Sequence, residues 1–307
     1  MSNGKPKVEK RLYTRLMDLY RHNDIYIPGF NAVTRTILKT KAESHFKSIS
    51  AIGELNADAI DSWLASKRFF FGYGVYRSGT TFLADFLNRN ISKAIVQHEA
   101  NVNDYWYYAK AIHSVSEAES YAVRYRKPEI YFRLKDLDFN IYGEINPFLR
   151  RHCVAMKRAF PEARHFQIVR DPKNVLRSLM SRELFDKKDP MAAVIFPPKE
   201  DPYSDRWETM TRFEKLCWLW AADNRFIREN TEHVLLFEKL RGDFDYFDQN
   251  VLKFLDLQMS AETWDTQISK VYNSTPRYTF PKHADWSAEH KRQFEAICGE
   301  EMAHYGY

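Results

Sequence analysis

Short apolar runs alternate with stretches of helical period along most of the chain. Residues 68–76 (RFFFGYGVY) have the aromatic, apolar composition of a buried strand. In residues 80–89, Phe82, Leu83, Phe86 and Leu87 recur at helical spacing. The same reading predicts a strand at 94–99, helix over 103–125, a strand at 130–134 and a helix at 147–160 that Pro161 stops. A fourth strand is expected at 164–169. Asp171-Pro172 then opens a helix, with Asp as N-cap and Pro in the first turn. A long helix at 207–229 carries Met210, Phe213, Leu216, Cys217 and Trp220 on its inner stripe, ahead of a strand at 233–237 and a helix at 246–255. Strands alternating with helices predict an α/β fold, a P-loop-like parallel β-sheet with helices on both faces. Ligands of such sheets lie beyond the carboxyl ends of the strands.

Ahead of this core, helices are expected at 33–47 and 57–66, and a loop around Pro28-Gly29. Residues 9–21 predict a basic amphipathic helix with Leu12, Leu16 and Leu19 on one face. Such a helix either packs on the main body or makes peripheral contact with a membrane surface or a partner. The expected organisation is one domain over 1–307, with an N-terminal helical extension at 1–67 and a nucleotide-binding core and acceptor site at 68–307.

Composition narrows the classes. With 44% hydrophobic and 15% aromatic residues, 307 residues can bury a sizeable core, which a disordered chain could not. The net charge is +5, and residues 1–50 hold ten lysines and arginines against four acids, so the remainder is near neutral. That distribution does not suit a nucleic-acid-binding surface. Cys153, Cys217 and Cys298 fit neither a zinc spacing nor a disulfide framework, which points to a reducing compartment. With neither a long apolar run nor a signal-peptide pattern, a cytoplasmic protein is expected.

The candidate chemistry sits at two strand ends. Gly74-Val-Tyr-Arg-Ser-Gly79-Thr80-Thr81 has the glycine spacing of a P-loop, with Thr80 where the lysine would stand. Glycines let backbone N–H groups curl around an anion, and the following helix adds the positive end of its dipole. Arg77 restores a fixed positive charge. The missing lysine and the lack of a clear acidic magnesium ligand suit a 5'-phosphosulfate better than ATP. Arg170 closes the 164–169 strand in Phe166-Gln-Ile-Val-Arg-Asp-Pro, with Ser178 eight residues on. A strand-end arginine can form two parallel hydrogen bonds to a phosphate, and a nearby serine a third.

Tyr76-Arg-Ser-Gly-Thr-Thr-Phe-Leu83 resembles the phosphosulfate-binding loop of the sulfotransferase superfamily, closest in motif form to its bacterial and tyrosylprotein-type members. Arg170 and Ser178 resemble the pair that holds the 3'-phosphate. The 236–240 segment (LFEKL) and residues 286–307 echo later parts of the family, so the resemblance spans about 68–307. It implies a sulfotransferase carrying a sulfuryl group from 3'-phosphoadenosine 5'-phosphosulfate (PAPS) to a hydroxyl acceptor, with adenosine 3',5'-bisphosphate as product and no metal required. The implied nucleotide set is Arg77, Ser78, Gly79, Thr80, Thr81, Phe82, Arg170 and Ser178. The resemblance implies a general base at Glu99, the acidic position of the tyrosylprotein-type members, with His98 second; neighbouring strand residues face opposite ways, so one of the two is expected to reach the acceptor. Arg77 is the expected leaving-group stabiliser. Lys135, expected to end the 130–134 strand, resembles a lysine that contacts donor or acceptor. Leu137 departs from the family there, since many relatives have proline.

From the late loop at 273–286, Arg277 or Lys282 could reach a phosphate and His283 the acceptor. The acceptor is open between a small molecule, a glycan and a peptide; Tyr105-Trp-Tyr-Tyr108 either lines its pocket or is helix core. The alternatives are a P-loop kinase or other ATP-binding enzyme, and a non-catalytic nucleotide-binding module.

Overall fold

The computed structural model describes residues 29–101, 104–268 and 278–307. The basic 9–21 segment and Arg277 lie outside them. Helices α1 (Phe30–Glu54) and α2 (Ala57–Ala65) precede β1 (Arg68–Tyr73). Then come α3 (Thr80–Asn90), β2 (Ala94–Gln97), α4 (Asp104–Ala111), α5 (Val115–Ser120), a π-helical segment (Tyr121–Arg126) and α6 (Lys127–Leu134). Strand β3 (Ile141–Ile145) is followed by a 3-10 turn (Pro147–His152), α7 (Cys153–Ala159), β4 (Arg164–Val169) and α8 (Pro172–Met180). Helix α9 (Arg212–Asn230) leads to β5 (His233–Leu236), whose end runs into α10 (Phe237–Gly242). Short helical pieces over 244–268 and the C-terminal α11 (Ala288–Tyr305) complete the chain.

All pairings in the five-stranded sheet are parallel, in the order β2-β3-β1-β4-β5. Alternation along β1 divides the core. Phe69, Phe71 and Tyr73 pack with Tyr142 under α1, α2 and α4 to α7, while Phe70 packs with Phe82, Phe86 and Phe166 under α3 and the 244–268 pieces. The chain moves from β1 to one side of the sheet and from β4 to the other. A crevice therefore opens beyond the carboxyl ends of β1 and β4, where a doubly wound sheet binds its ligand.

The expected strand at 130–134 is instead the end of α6, and the third strand is Ile141–Ile145. The aromatic, β-branched composition of Ile130 to Leu134 misled. Pro128 sits in the first turn, Ile130 and Leu134 share the buried face, and Glu129 pairs with Arg133 at 2.8 Å, all at helical spacing. The true strand, IYGEI, is disguised by a glycine and an acid. Gly143 has no room for a Cβ, because the Phe70 ring lies against it. Glu144 is fully buried and accepts from Arg126, from Tyr142 Oη at 3.0 Å and from Asn146 Nδ2 at 2.9 Å. Burial alone would raise its carboxyl; the Arg126 guanidinium outweighs burial and holds it below the usual value. Lys135 accordingly caps the carboxyl end of α6, exposed, with its Nζ over the Tyr131 ring at 5.8 Å. It stands six residues before β3 begins, toward the amino ends of the strands, and away from the crevice.

Burial lowers the His165 imidazole to about 4, with Nδ1 paired to Tyr73 Oη at 2.8 Å. Its unfolded value is near 6.5, so the unfolded chain binds more protons between those limits and this contribution to stability is lost as pH falls through that window. The slope approaches about 1.4 kcal/mol per pH unit. The difference in urea-unfolding free energy between wild type and His165→Asn should shrink by about 1 kcal/mol from about pH 7.5 to about pH 5.5. A difference that stays constant contradicts this.

Candidate active site at the carboxyl ends of β1 and β4

The loop between β1 and α3 is shaped by close approach. A Cβ on Gly74 would lie 2.6 Å from Ser78 Oγ and 2.7 Å from the Ile168 carbonyl of β4. Gly79 has φ +100°, caps α3 without a side-chain hydrogen bond, and has the Phe237 ring where a Cβ would stand. Ser78 is buried and donates back to the Val75 carbonyl at 2.6 Å. The first intrahelical amide of α3 is Leu83, bonded to Gly79 at 3.0 Å. The preceding turn, Gly79 to Phe82, is the amide-rich helix start that attracts anions.

The second motif meets the first directly. Arg77 Nε donates to Ser178 Oγ at 2.9 Å, and Arg170 Nη1 donates to the Arg77 carbonyl at 3.0 Å. The Arg170 guanidinium also lies 4.9 Å from the centre of the Phe237 ring. Its Nε is buried with no hydrogen-bond partner among the described residues; Glu238 Oε1 stands 4.0 Å away. Arg77 adopts φ +70°, a left-handed conformation rare for arginine. Burial, and then the charges of Arg182 and Arg170, lower its affinity for its proton. Three guanidinium groups thus share a half-buried space at a helix N-terminus, with Glu99 as a weak counterweight. A strand-end arginine with an unfilled donor, a glycine cradle and crowded positive charge fit a ligand bearing two separate phosphates. Arg182 was not singled out from the sequence. Its place depends on where α8 ends, two residues before it, and no spacing in the sequence marked it.

Beyond β2 the chain departs from strand geometry. Glu99 has φ +47°, so the alternation expected to separate His98 from Glu99 stops at Gln97. The two side chains instead face each other, His98 Nε2 lying 3.3 Å from Glu99 Oε1. His98 Nδ1 lies 2.8 Å from the Ile145 carbonyl, which only accepts, so Nδ1 carries a hydrogen and Nε2 faces Thr81 Oγ1 at 2.9 Å. Side-chain exposure is 17% for His98 and 43% for Glu99, which leaves the carboxylate as the more open of the pair. Beyond Glu99, Asn101 is hydrogen-bonded to Tyr125 Oη. Asp104 accepts from Tyr121 Oη at 2.6 Å and Asn146 Nδ2 at 2.9 Å. Past the His98–Glu99 pair, the chain is thus anchored at Asn101 and again at Asp104.

The other candidates scatter. Lys135 is at the far end of the sheet. His283 packs on Trp286 and Phe294, and Lys282 is exposed. Of the 105–108 aromatics, Tyr107 and Tyr108 are core, while Tyr105 lines a cavity beside Arg77. A somewhat larger cavity of about 310 Å³ lies among Leu64, Phe69 and Phe160, at the amino ends of β1 and β4, remote from both motifs.

No protein-family model matches the chain, and no curated protein matches it in sequence. Solved structures match in fold. Sulfotransferase STF9 from Mycobacterium avium superposes over 94% of this chain and 89% of its own, with TM-score 0.52 and 12% identity. The chain has the sulfotransferase fold. Sulfotransferase STF1 from Mycobacterium tuberculosis H37Rv also matches, over 96% and 94% of the two chains, with TM-score 0.47 and 15% identity. Mouse sulfotransferase SULT7A1, solved with PAP, matches over 79% and 87%, with TM-score 0.40 and 12% identity.

Gly79 is the tightest point of the cradle. Gly79→Ala should destabilise the protein by about 1–3 kcal/mol, read as a lower urea midpoint. Gly242→Ala, whose Cβ would meet nothing, should leave the midpoint nearly unchanged. Equal midpoints for the two variants would contradict the packing at Gly79.

Proposed function

We propose that the protein is a sulfotransferase that moves a sulfuryl group from PAPS to a hydroxyl acceptor. The observation that carries the reading is the Arg77–Ser178 hydrogen bond. With the Arg170 contact to the Arg77 carbonyl, it joins the two anion-binding motifs in one crevice at the switch point of the sheet. Two anion cradles side by side suit a nucleotide with phosphates on both ends of its ribose, and ATP has no second phosphate position for Arg170 and Ser178. The sulfotransferase fold supports the same reading.

In this site the Gly79–Thr81 turn holds the 5'-phosphate, and Arg170 and Ser178 hold the 3'-phosphate. Each charge-assisted bond contributes about 1.5–3 kcal/mol. Arg77 sits between the two and meets the charge that builds on the departing bridging oxygen. Glu99 takes the acceptor proton, and His98, fixed by the Ile145 carbonyl, orients it or shares the proton. The acceptor oxygen bonds to sulfur, the bond from sulfur to the bridging oxygen breaks, and adenosine 3',5'-bisphosphate leaves with that electron pair.

Adenosine 3',5'-bisphosphate should raise the melting temperature, ATP with magnesium should not, and Arg170→Ala should weaken bisphosphate affinity by roughly tenfold to hundredfold. Stabilisation by ATP-magnesium alone would overturn the proposal in favour of a kinase-like enzyme. With an accepted acceptor, Glu99→Gln should lower kcat by about 10²–10⁴-fold while keeping the bisphosphate shift. If Glu99→Gln and His98→Gln both turn over at the wild-type rate, the base lies elsewhere; absence of turnover with bisphosphate bound would favour a non-catalytic module.

A further inference from the structure

We infer that the cavity beside Arg77 takes a small phenol, a single or fused pair of aromatic rings whose hydroxyl receives the sulfuryl group. This rests on the sulfotransferase reading and narrows its acceptor.

The cavity measures about 250 Å³. A dry space of about 150 Å³ accommodates benzene, so there is room here for one ring with a substituent or two fused rings. Its aromatic wall is built from three different parts of the chain. Tyr76 comes from the phosphate loop, Tyr105 from α4 and Phe148 from the 3-10 turn after β3. Their rings meet as a corner: Tyr105 and Phe148 at 5.3 Å and 54°, Tyr76 and Phe148 at 5.5 Å and 69°. A fourth ring placed against that corner gains edge-to-face contacts worth about 0.5–1.5 kcal/mol each beyond its buried area. Leu179 and Leu184 supply an aliphatic wall.

The polar inventory of these walls is short. Arg77 and Arg182 stand at the edge next to the nucleotide crevice. Tyr76 Oη is buried without a hydrogen bond of good geometry, since the Arg150 guanidinium stacks over the ring at 4.3 Å. Among the described residues, no carboxylate or amide side chain lines the space. A sugar would set several hydroxyl groups against these mostly apolar walls with few protein partners. A phenol presents one hydroxyl and two ring faces. The charge of Glu99 is felt by Tyr76 and Arg77, two residues of the cavity's wall. A phenolic hydroxyl, with a pKa near 10, also gives up its proton to a carboxylate or imidazole far more readily than an aliphatic alcohol does.

The test uses the full chain in two readouts. With adenosine 3',5'-bisphosphate bound, 2-naphthol should raise the melting temperature further, and N-acetylglucosamine and cyclohexanol should not. With PAPS, kcat/KM for phenol and 2-naphthol should exceed that for cyclohexanol, N-acetylglucosamine and a tyrosine-containing peptide by at least about tenfold, the discrimination a ring-shaped apolar pocket supplies. Leu184→Trp, which fills the cavity, should cut 2-naphthol kcat/KM more than about tenfold with the bisphosphate shift intact. Leu184→Ala, which enlarges it, should raise KM for phenol more than for 2-naphthol. Loss of the bisphosphate shift in wild type sinks the sulfotransferase reading itself. A retained shift with sugar, aliphatic alcohol or peptide preferred, or with every phenol inert, overturns this inference alone.

Discussion

Everything in the crevice beyond β1 and β4 depends on arginines being held close together. Arg77 is anchored to Ser178, Arg170 is anchored to the Arg77 carbonyl, and Arg182 adds its charge from beyond α8. Like charges at such range repel, and partial burial strengthens the repulsion by removing solvent screening. The amino-terminal end of α3 adds to the positive potential, and the cluster is held there by packing against β4 that has no slack. Gly74 lies against the Ile168 carbonyl, and Gly79 against the Phe237 ring. Arg77 and Glu99, two of the residues in the left-handed region, mark where the backbone is bent to build this crevice.

A second charged assembly does the opposite work. Arg126, Glu144, Glu129 and Asp104 are all buried, and Arg126, together with Arg133 on Glu129, largely offsets the three carboxyls across the π-helical segment, α6, β3 and the start of α4. Burial pushes the Asp104 carboxyl up to about 7 even with Arg126 nearby, so the group sits near electrical balance. Arg150, stacked on Tyr108 at 3.6 Å and paired with Asp223, extends the pattern toward the phosphate loop through Tyr76. Buried ion pairs add little net stability, but removing one partner is costly, so these groups fix geometry rather than drive folding. What they fix is the start of α4 at Asp104 and the turn after β3 at Asn146.

The local geometry of the two strand-end motifs was legible in the sequence because each is a contiguous string with its own local physics: glycines for a tight turn, an arginine at a strand end, an aspartate and a proline to start a helix. Strand β3 was not legible. Its hydrophobic signal is cut by Gly143 and Glu144, and the partners that make them acceptable, Phe70 and Arg126, are supplied by distant segments. Helix α6 was misread for the complementary reason, since β-branched and aromatic residues belong to buried helices as readily as to strands. Lys135 was misplaced along with it. The side-by-side arrangement of His98 and Glu99 depends on one backbone angle at Glu99 that no periodicity forecasts.

The central claim is that one adenosine nucleotide spans both anion cradles. The most direct measurement is a crystal structure grown with adenosine 3',5'-bisphosphate. The account predicts the 5'-phosphate on the Gly79–Thr81 turn, the 3'-phosphate on Arg170 and Ser178, and Arg170 Nε newly hydrogen-bonded. A nucleotide bound elsewhere, or one that leaves Arg170 Nε unpartnered while occupying only the glycine cradle, would contradict it.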